Sequence, residues 1–321
     1  MATTLDETHF ESFGQKYTGK VRDMYMPNDL ERILVATDRQ SAFDIRKWTT
    51  IPLKGQVLTQ ISTWWFDCGA DVMPTHVIEV PDQNVMVVKR LRMVMLEIVV
   101  RGYLTGSTNT SAWVNYQSGS RHSCGNLLEE SMVKNQRLGR PIVTPTTKGD
   151  DDELIDPEGI VAHGLASQAQ WNEIERKALA LFERGQEVAA TRGLILVDTK
   201  YEMGYDQNGT LTIGDEVHTP DSSRYWIAAT YEQRMAEGKD PDSLDKEFFR
   251  LWLRGQGFDP SRPDDTKPVI TDDARLMLAT KYIDLYERIT GNTLEIPSAA
   301  DVSQRIRRNL EKYRTTESTA S

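Results

Sequence analysis

Apolar positions in the first third of the chain cluster in short runs separated by turn-forming residues. Ile33-Leu34-Val35-Ala36 and Val85-Met86-Val87-Val88 are rich in β-branched side chains and predict strands, as does Ile98-Val99-Val100 leading into Arg101-Gly102-Tyr103. Between the first two, apolar residues at 57, 58, 61 and 65 recur at helical spacing and predict a helix over 57–66.

The second half mixes long helical periods with two strands. Ser167 and Gln170 have the spacing of a capping box, and Trp171, Ile174, Ala178, Leu181, Phe182, Val188 and Ala189 trace one helical face as far as Gly193. Leu194-Ile195-Leu196-Val197 then reads as a buried strand, and 210–213 as its hairpin partner across the turn Asp206-Gln207-Asn208-Gly209. Three more helices are predicted: over 243–254, from Asp272 to Gly291, and from Ser298 through Asp301, Val302, Ile306 and Leu310. The polar tail 315–321 is expected to fray. Strands scattered among helices without regular βαβ alternation predict an α+β fold.

Composition narrows the function classes. Hydrophobic residues at 39% of 321 allow a sizeable buried core. A formal net charge of -10 argues against nucleic-acid or anionic-membrane partners, yet leaves room for a small anionic ligand held by local Lys and Arg. Cys68 and Cys124 make neither a disulfide framework nor a zinc spacing, and suit a reducing, cytoplasmic setting. No apolar run has the length of a membrane helix, and the N-terminus lacks the basic and apolar regions of a secretory signal.

Several polar segments carry candidate chemistry, each with a bland alternative. Gly19-Lys20-Val21-Arg22 sets a glycine beside two cations, which suits phosphate oxygens but reads alone as a surface turn; no P-loop or G-x-G-x-x-G is present. Asp38 to Asp44 follows a strand end, where ligand crevices and capped turns both occur. Arg101 interrupts an apolar run and needs an anionic partner, either Glu97 or a ligand gripped together with Gly106 and Ser107. Lys148 ends a Pro- and Thr-rich loop before the acidic run 150–153. Asp198, Lys200 and Glu202 alternate, so an extended strand puts all three on one face. With Asp215 across the hairpin they suit a magnesium nucleotide, the alternative being a salt-bridged solvent face. The loop after the second strand holds Asp221 as a partner for Arg224, while His218 reads as a structural hydrogen-bonding group.

Taken together, GKVRDMY at 19–25, DRQSAFD at 38–44, IPLKGQVLTQ at 51–60, VVRGYLTGS at 99–107, TPTTK at 144–148, DTKYEMG at 198–204, DEVHTPDSSRYW at 215–226 and DKEFFRLWL at 245–253 resemble the SAICAR synthase (phosphoribosylaminoimidazole-succinocarboxamide synthase) family, in the family's order. Gln40, Met95 and Asp151-Asp152 depart from the family's usual residues. The resemblance implies an ATP-grasp-like α+β fold, with a small β-rich lobe at 1–90 covering the nucleotide and a larger α+β lobe at 91–321. It implies a ligase that joins carboxyaminoimidazole ribotide (CAIR) to L-aspartate, with ATP and Mg2+, in purine biosynthesis. By the same resemblance Gly19, Lys20, Arg22 and Lys148 meet ATP. Glu202, Asp215 and Glu97 hold metal, and Arg101, Ser107, Asp221 and Arg224 bind the ribotide. Lys200, Asp198 and Asp38 face the reacting groups. A monomer or small homo-oligomer is expected.

Overall fold

The computed structural model describes residues 4–43, 45–149, 152–245, 247–297 and 301–314. Ser298, the tail 315–321, Asp44 and Asp151 lie outside the described residues. The chain divides into two units, one of Met1–Trp64, His76–Arg90 and Leu244–Ser321, the other of Trp65–Thr75 and Leu91–Ser243.

The first unit is built on an antiparallel sheet of Gln15–Thr18, Arg22–Met26, Glu31–Ala36, Val85–Lys89 and Val77–Asp82, in that order. Strand alternation sends Ile33 and Val35, with Val85 and Val87 opposite, into one apolar cluster with Phe10, Phe13 and Tyr25. Ile306 of the C-terminal helix Val302–Asn309 and Leu310 at its end close that cluster. Arg305 of the same helix donates from Nε and Nη2 to the two oxygens of buried Asp82, each at 2.9 Å. These contacts tie the helix Val302–Asn309 to the N-terminal sheet, within the first of the two units. Asp301 caps the last helix through the N–H of Gln304, as its spacing predicts. The helix Asp272–Thr290 ends at Gly291, whose φ of 75° is the left-handed geometry glycine adopts freely. Gln40, fully buried, accepts a hydrogen bond from Tyr282 at 3.4 Å, so this departure is a packing variation.

In the second unit a seven-stranded sheet runs Arg137–Val143, Leu96–Tyr103, Leu194–Tyr205, Leu211–Gly214, with Thr146–Thr147 also pairing Leu96–Tyr103, and Ser223–Ile227 and Arg92–Met93 also pairing the central Leu194–Tyr205. The central strand spans 12 residues, far beyond the apolar run 194–197. It stays extended through Asp198, Lys200 and Glu202 because neighbours on both sides satisfy its backbone there. The long helix Gln168–Thr191 carries the complete capping box of Ser167 and Gln170 and buries Trp171, Ile174, Ala178, Leu181 and Phe182. The helix expected over 243–254 begins later, at Glu247–Gly255, because Ser243 forms a β-bridge with Trp226. Among the described residues no helix is long and apolar enough to cross a membrane.

Candidate active site

Sheet register, rather than nearness in sequence, assembles the charged groups of the second unit. Asp198 lies on the central strand directly opposite Arg101 on one side and Arg224 on the other. Arg224 Nη1 donates to Asp198 Oδ2, and Arg101 Nη1 stands 3.8 Å from the same oxygen. Arg101 also donates from Nε to Thr144 Oγ1 at 2.7 Å and from Nη2 to the Thr110 carbonyl at 3.1 Å. Burial disfavours the Arg101 cation, Asp198 supports it and Arg224 opposes it, so its pKa falls below the ordinary arginine value. The group stays charged, because a guanidinium keeps its proton in proteins. Asp198 is shared by two guanidinium groups, an arrangement whose N–H edges suit an anionic ligand.

Two residues further along the same face, at about 7 Å by strand rise, Lys200 donates to Glu97 Oε1 at 2.9 Å and to Glu202 Oε1 at 2.8 Å. Lys148 donates to the other oxygen of Glu202. Burial works against the Lys200 ammonium, but Glu202, Glu97 and Asp215 outweigh it and push its pKa up. Burial likewise raises Glu202, yet Lys200 and Lys148 hold it down at about 2. Lys200 and Glu202 are therefore both ionised near neutrality. Among the described residues no three His, Cys, Asp or Glu side chains are gathered as an all-protein metal site requires. The carboxylates of Glu97 and Glu202 converge on an ammonium instead.

Glu202 pairs in register with Gly214, and the chain then turns through Asp215 and His218, both at positive φ, 55° and 51°. His218 is fully buried: its Nε2 bonds the Tyr201 hydroxyl, its carbonyl accepts from Tyr225 at 2.8 Å, and Trp65 packs edge-on against its ring at 4.6 Å. Burial lowers its pKa to about 3, so it is a neutral structural group, as its isolation in the sequence suggested. Tyr201 faces away from Lys200 and Glu202 by strand alternation, and so ties the back of the site strand to this turn.

In the first unit Gly19 N–H donates to the Arg22 carbonyl at 2.8 Å, closing the turn between two strands, and Lys20 is exposed on it. Asp38 is a buried carboxylate of the first unit. Its Oδ2 accepts the Leu5 N–H at 2.7 Å and its Oδ1 the Gly55 N–H at 2.9 Å, with only 3% of the residue exposed. Burial raises its pKa to about 6 against these bonds. Asp38 is thus a buried clamp on the start of the helix Lys54–Cys68.

The SAICAR synthetase family model matches residues 15–262. The chain belongs to the SAICAR synthetase family. A phosphoribosylaminoimidazole-succinocarboxamide synthase of Legionella pneumophila is 47% identical over 315 residues, 98% of this chain and 99% of that protein. The SAICAR synthase of Saccharomyces cerevisiae, solved in complex with SAICAR, matches with a TM-score of 0.78 at 29% identity, covering 91% of this chain and 100% of that one. A SAICAR synthetase solved in complex with ADP matches with a TM-score of 0.67 at 28% identity, covering 88% and 100%.

Of the residues singled out by resemblance to the family, the sheet brings together Glu97, Arg101, Lys148, Asp198, Lys200, Glu202 and Arg224. Arg101 pairs with Asp198, while Glu97 turns to Lys200. Arg224 has an ion pair with Asp198. Gly106, at φ 108°, brings backbone against this cluster: a Cβ there would lie 3.4 Å from Arg224 Nη2. Thr144 and Tyr201 lie inside quoted motifs but carry no role assigned from sequence, and Thr110 is not singled out there. Hydrogen bonds to Arg101 link Thr144 and Thr110 to the site, and strand pairing links Tyr201, long-range relations that a single sequence does not display.

Proposed function

We propose that this chain is an ATP-dependent ligase that condenses CAIR with L-aspartate to give SAICAR, ADP and phosphate in purine biosynthesis. Family membership supports the reaction. The observation that carries the assignment of residues is the ordered face of the central strand, with Asp198 between two arginines and Lys200 between two glutamates.

A carboxylate is a poor acyl donor because oxide would have to leave. A CAIR carboxylate oxygen therefore attacks the γ-phosphorus of ATP, and the bond to ADP breaks. The aspartate amine next attacks the acyl carbon, loses a proton, and phosphate leaves with the C–O electron pair. Positioning and charge neutralisation are the main tasks left to the protein. Arg101 and Arg224, with Ser107 and Asp221, take the ribotide and its phosphate. Lys200 stabilises charge on the transferring phosphoryl group. Gly19, Lys20, Arg22 and Lys148 serve the nucleotide. The ionised Glu202 fits a magnesium ion carried in by the nucleotide, since such ions need only one or two protein carboxylates beside phosphate oxygens and water. Asp215 and Glu97 are the further donors, and the ion's contribution is neutralisation of phosphate charge. No side-chain nucleophile is needed: burial pushes the Cys124 thiol up to about 11, far from thiolate character. The free thiols of Cys68 and Cys124 suit a cytoplasmic setting.

Purified protein with CAIR, L-aspartate and magnesium ATP is expected to release ADP and form SAICAR in equal amounts. ADP release that requires a different carboxylate or amine, with none from this pair, would overturn the proposal.

A further inference from the structure

Anion binding by a backbone turn requires its carbonyl oxygens to point away from the ligand, because each carries a partial negative charge. The 19–22 turn meets this requirement through one buried side chain that the proposed chemistry does not use. Arg39, 6% exposed on the strand Arg39–Ala42, donates from Nη2 to the Gly19 carbonyl at 3.1 Å and from Nε to the Lys20 carbonyl at 3.3 Å. Its Nη2 also bonds Asp23 Oδ1 at 2.8 Å, and its Nη1 bonds the Asp6 carbonyl at 2.5 Å. Asp23 is itself fully buried and held by the N–H and hydroxyl of Thr8, so the guanidinium is fixed at its far end. The next carbonyl, Val21, accepts from both the N–H of Thr37 at 3.0 Å and its hydroxyl at 2.8 Å. The Arg22 carbonyl takes the Gly19 N–H. All four successive carbonyls of the turn are thus engaged by donors of the protein.

We infer that Arg39, assisted by Thr37, is a positioning residue that draws the carbonyls of Gly19, Lys20 and Val21 inward and so makes this turn receptive to nucleotide phosphates. This rests on the proposed nucleotide role of Gly19 and Lys20. The planar fork of the guanidinium is essential, because it spans two carbonyls and a carboxylate at once.

The test is calorimetric ADP binding alongside separate KM values for ATP, CAIR and aspartate. Arg39→Lys keeps a charge but supplies a single point donor. It is expected to weaken ADP binding and raise the KM for ATP about tenfold, as for loss of one or two charge-assisted bonds, with the KM for CAIR and aspartate near wild type. Thr37→Val, nearly isosteric, is expected to shift the same two quantities less, and decides the matter if Arg39→Lys does not fold. Lys20→Gln separates the two levels of argument. If it leaves ADP affinity unchanged, the nucleotide role of the turn is wrong. If it weakens ADP binding while neither Arg39→Lys nor Thr37→Val does, the positioning role is wrong. A uniform rise in all three KM values in the Arg39 and Thr37 variants would also overturn it, as the mark of general destabilisation.

Discussion

Glu202 is the residue on which the charge balance of the site turns, because both of its oxygens are taken by lysines, one from Lys200 and one from Lys148. Glu202→Gln keeps the shape and removes the charge, leaving Lys148 without its carboxylate partner and the proposed magnesium nucleotide with one ionised donor fewer. The expected result is a fall in kcat of about a hundredfold or more, with the melting temperature within about 4 °C of wild type. Near-normal turnover in that variant would remove Glu202 from the metal and phosphoryl chemistry. At this scale the sequence was half legible. Alternation at 198, 200 and 202 was enough to put the three on one face, and the structure pairs Lys200 with Glu202 as that face requires. Partners were not legible. Four residues apart on one strand, Glu97 was a natural candidate for Arg101, but pairing of distant strands sets Asp198 opposite it instead.

Among the elements, the long helix Gln168–Thr191 and the central strand Leu194–Tyr205 hold the turn after residue 214 from behind. Gly185 of the helix lies close against both turn and strand, where an added Cβ would lie 2.4 Å from His218 Cε1 and 2.6 Å from Leu196 Cδ2. Alanine favours helices over glycine, which argues for stabilisation. Here the contact decides otherwise, because the His218 ring is already held by Tyr201 and Trp65 and has no room to yield. Gly185→Ala is therefore expected to destabilise by about 1–3 kcal/mol, the range for overpacking, read by denaturant unfolding. A gain in stability would show that the turn can shift at no cost. The helix itself was legible to its capping box, since amphipathic period and cap are local properties. The strand beyond Val197 was not, because polar residues end the apolar signature although neighbouring strands continue the ladder. Gly185 was invisible for a related reason: one glycine inside a helical period reads only as a weak spot.

For the molecule as a whole, the α+β class follows from the distribution of periods along the chain, whereas the return of the helix Val302–Asn309 to the N-terminal sheet depends on Ile306, Leu310 and Arg305 meeting residues more than two hundred positions earlier. Burial of titratable groups gives this fold a defined acid response. His76 and His218 are both lowered by burial to about 3 from 6.5. As pH falls below about 6.5 the unfolded chain takes up two protons that the folded protein refuses, so stability is complete above that value and declines beneath it. Asp38 acts in the opposite sense. Raised by burial to about 6 from 3.8, it takes up a proton in the folded state before the unfolded state does, and offsets one histidine once the pH is below about 6. Glu202, held at about 2 against 4.5, joins the histidines only below about 4.5. The net difference between about pH 6 and about pH 4.5 is close to one proton, a loss of about 1.4 kcal/mol per pH unit. Urea unfolding over that interval checks the slope, and His218→Gln is expected to cancel most of it, since Asp38 then balances His76 alone. A wild-type unfolding free energy that stays level between about pH 7 and about pH 4.5 would contradict this balance of one carboxyl against two histidines.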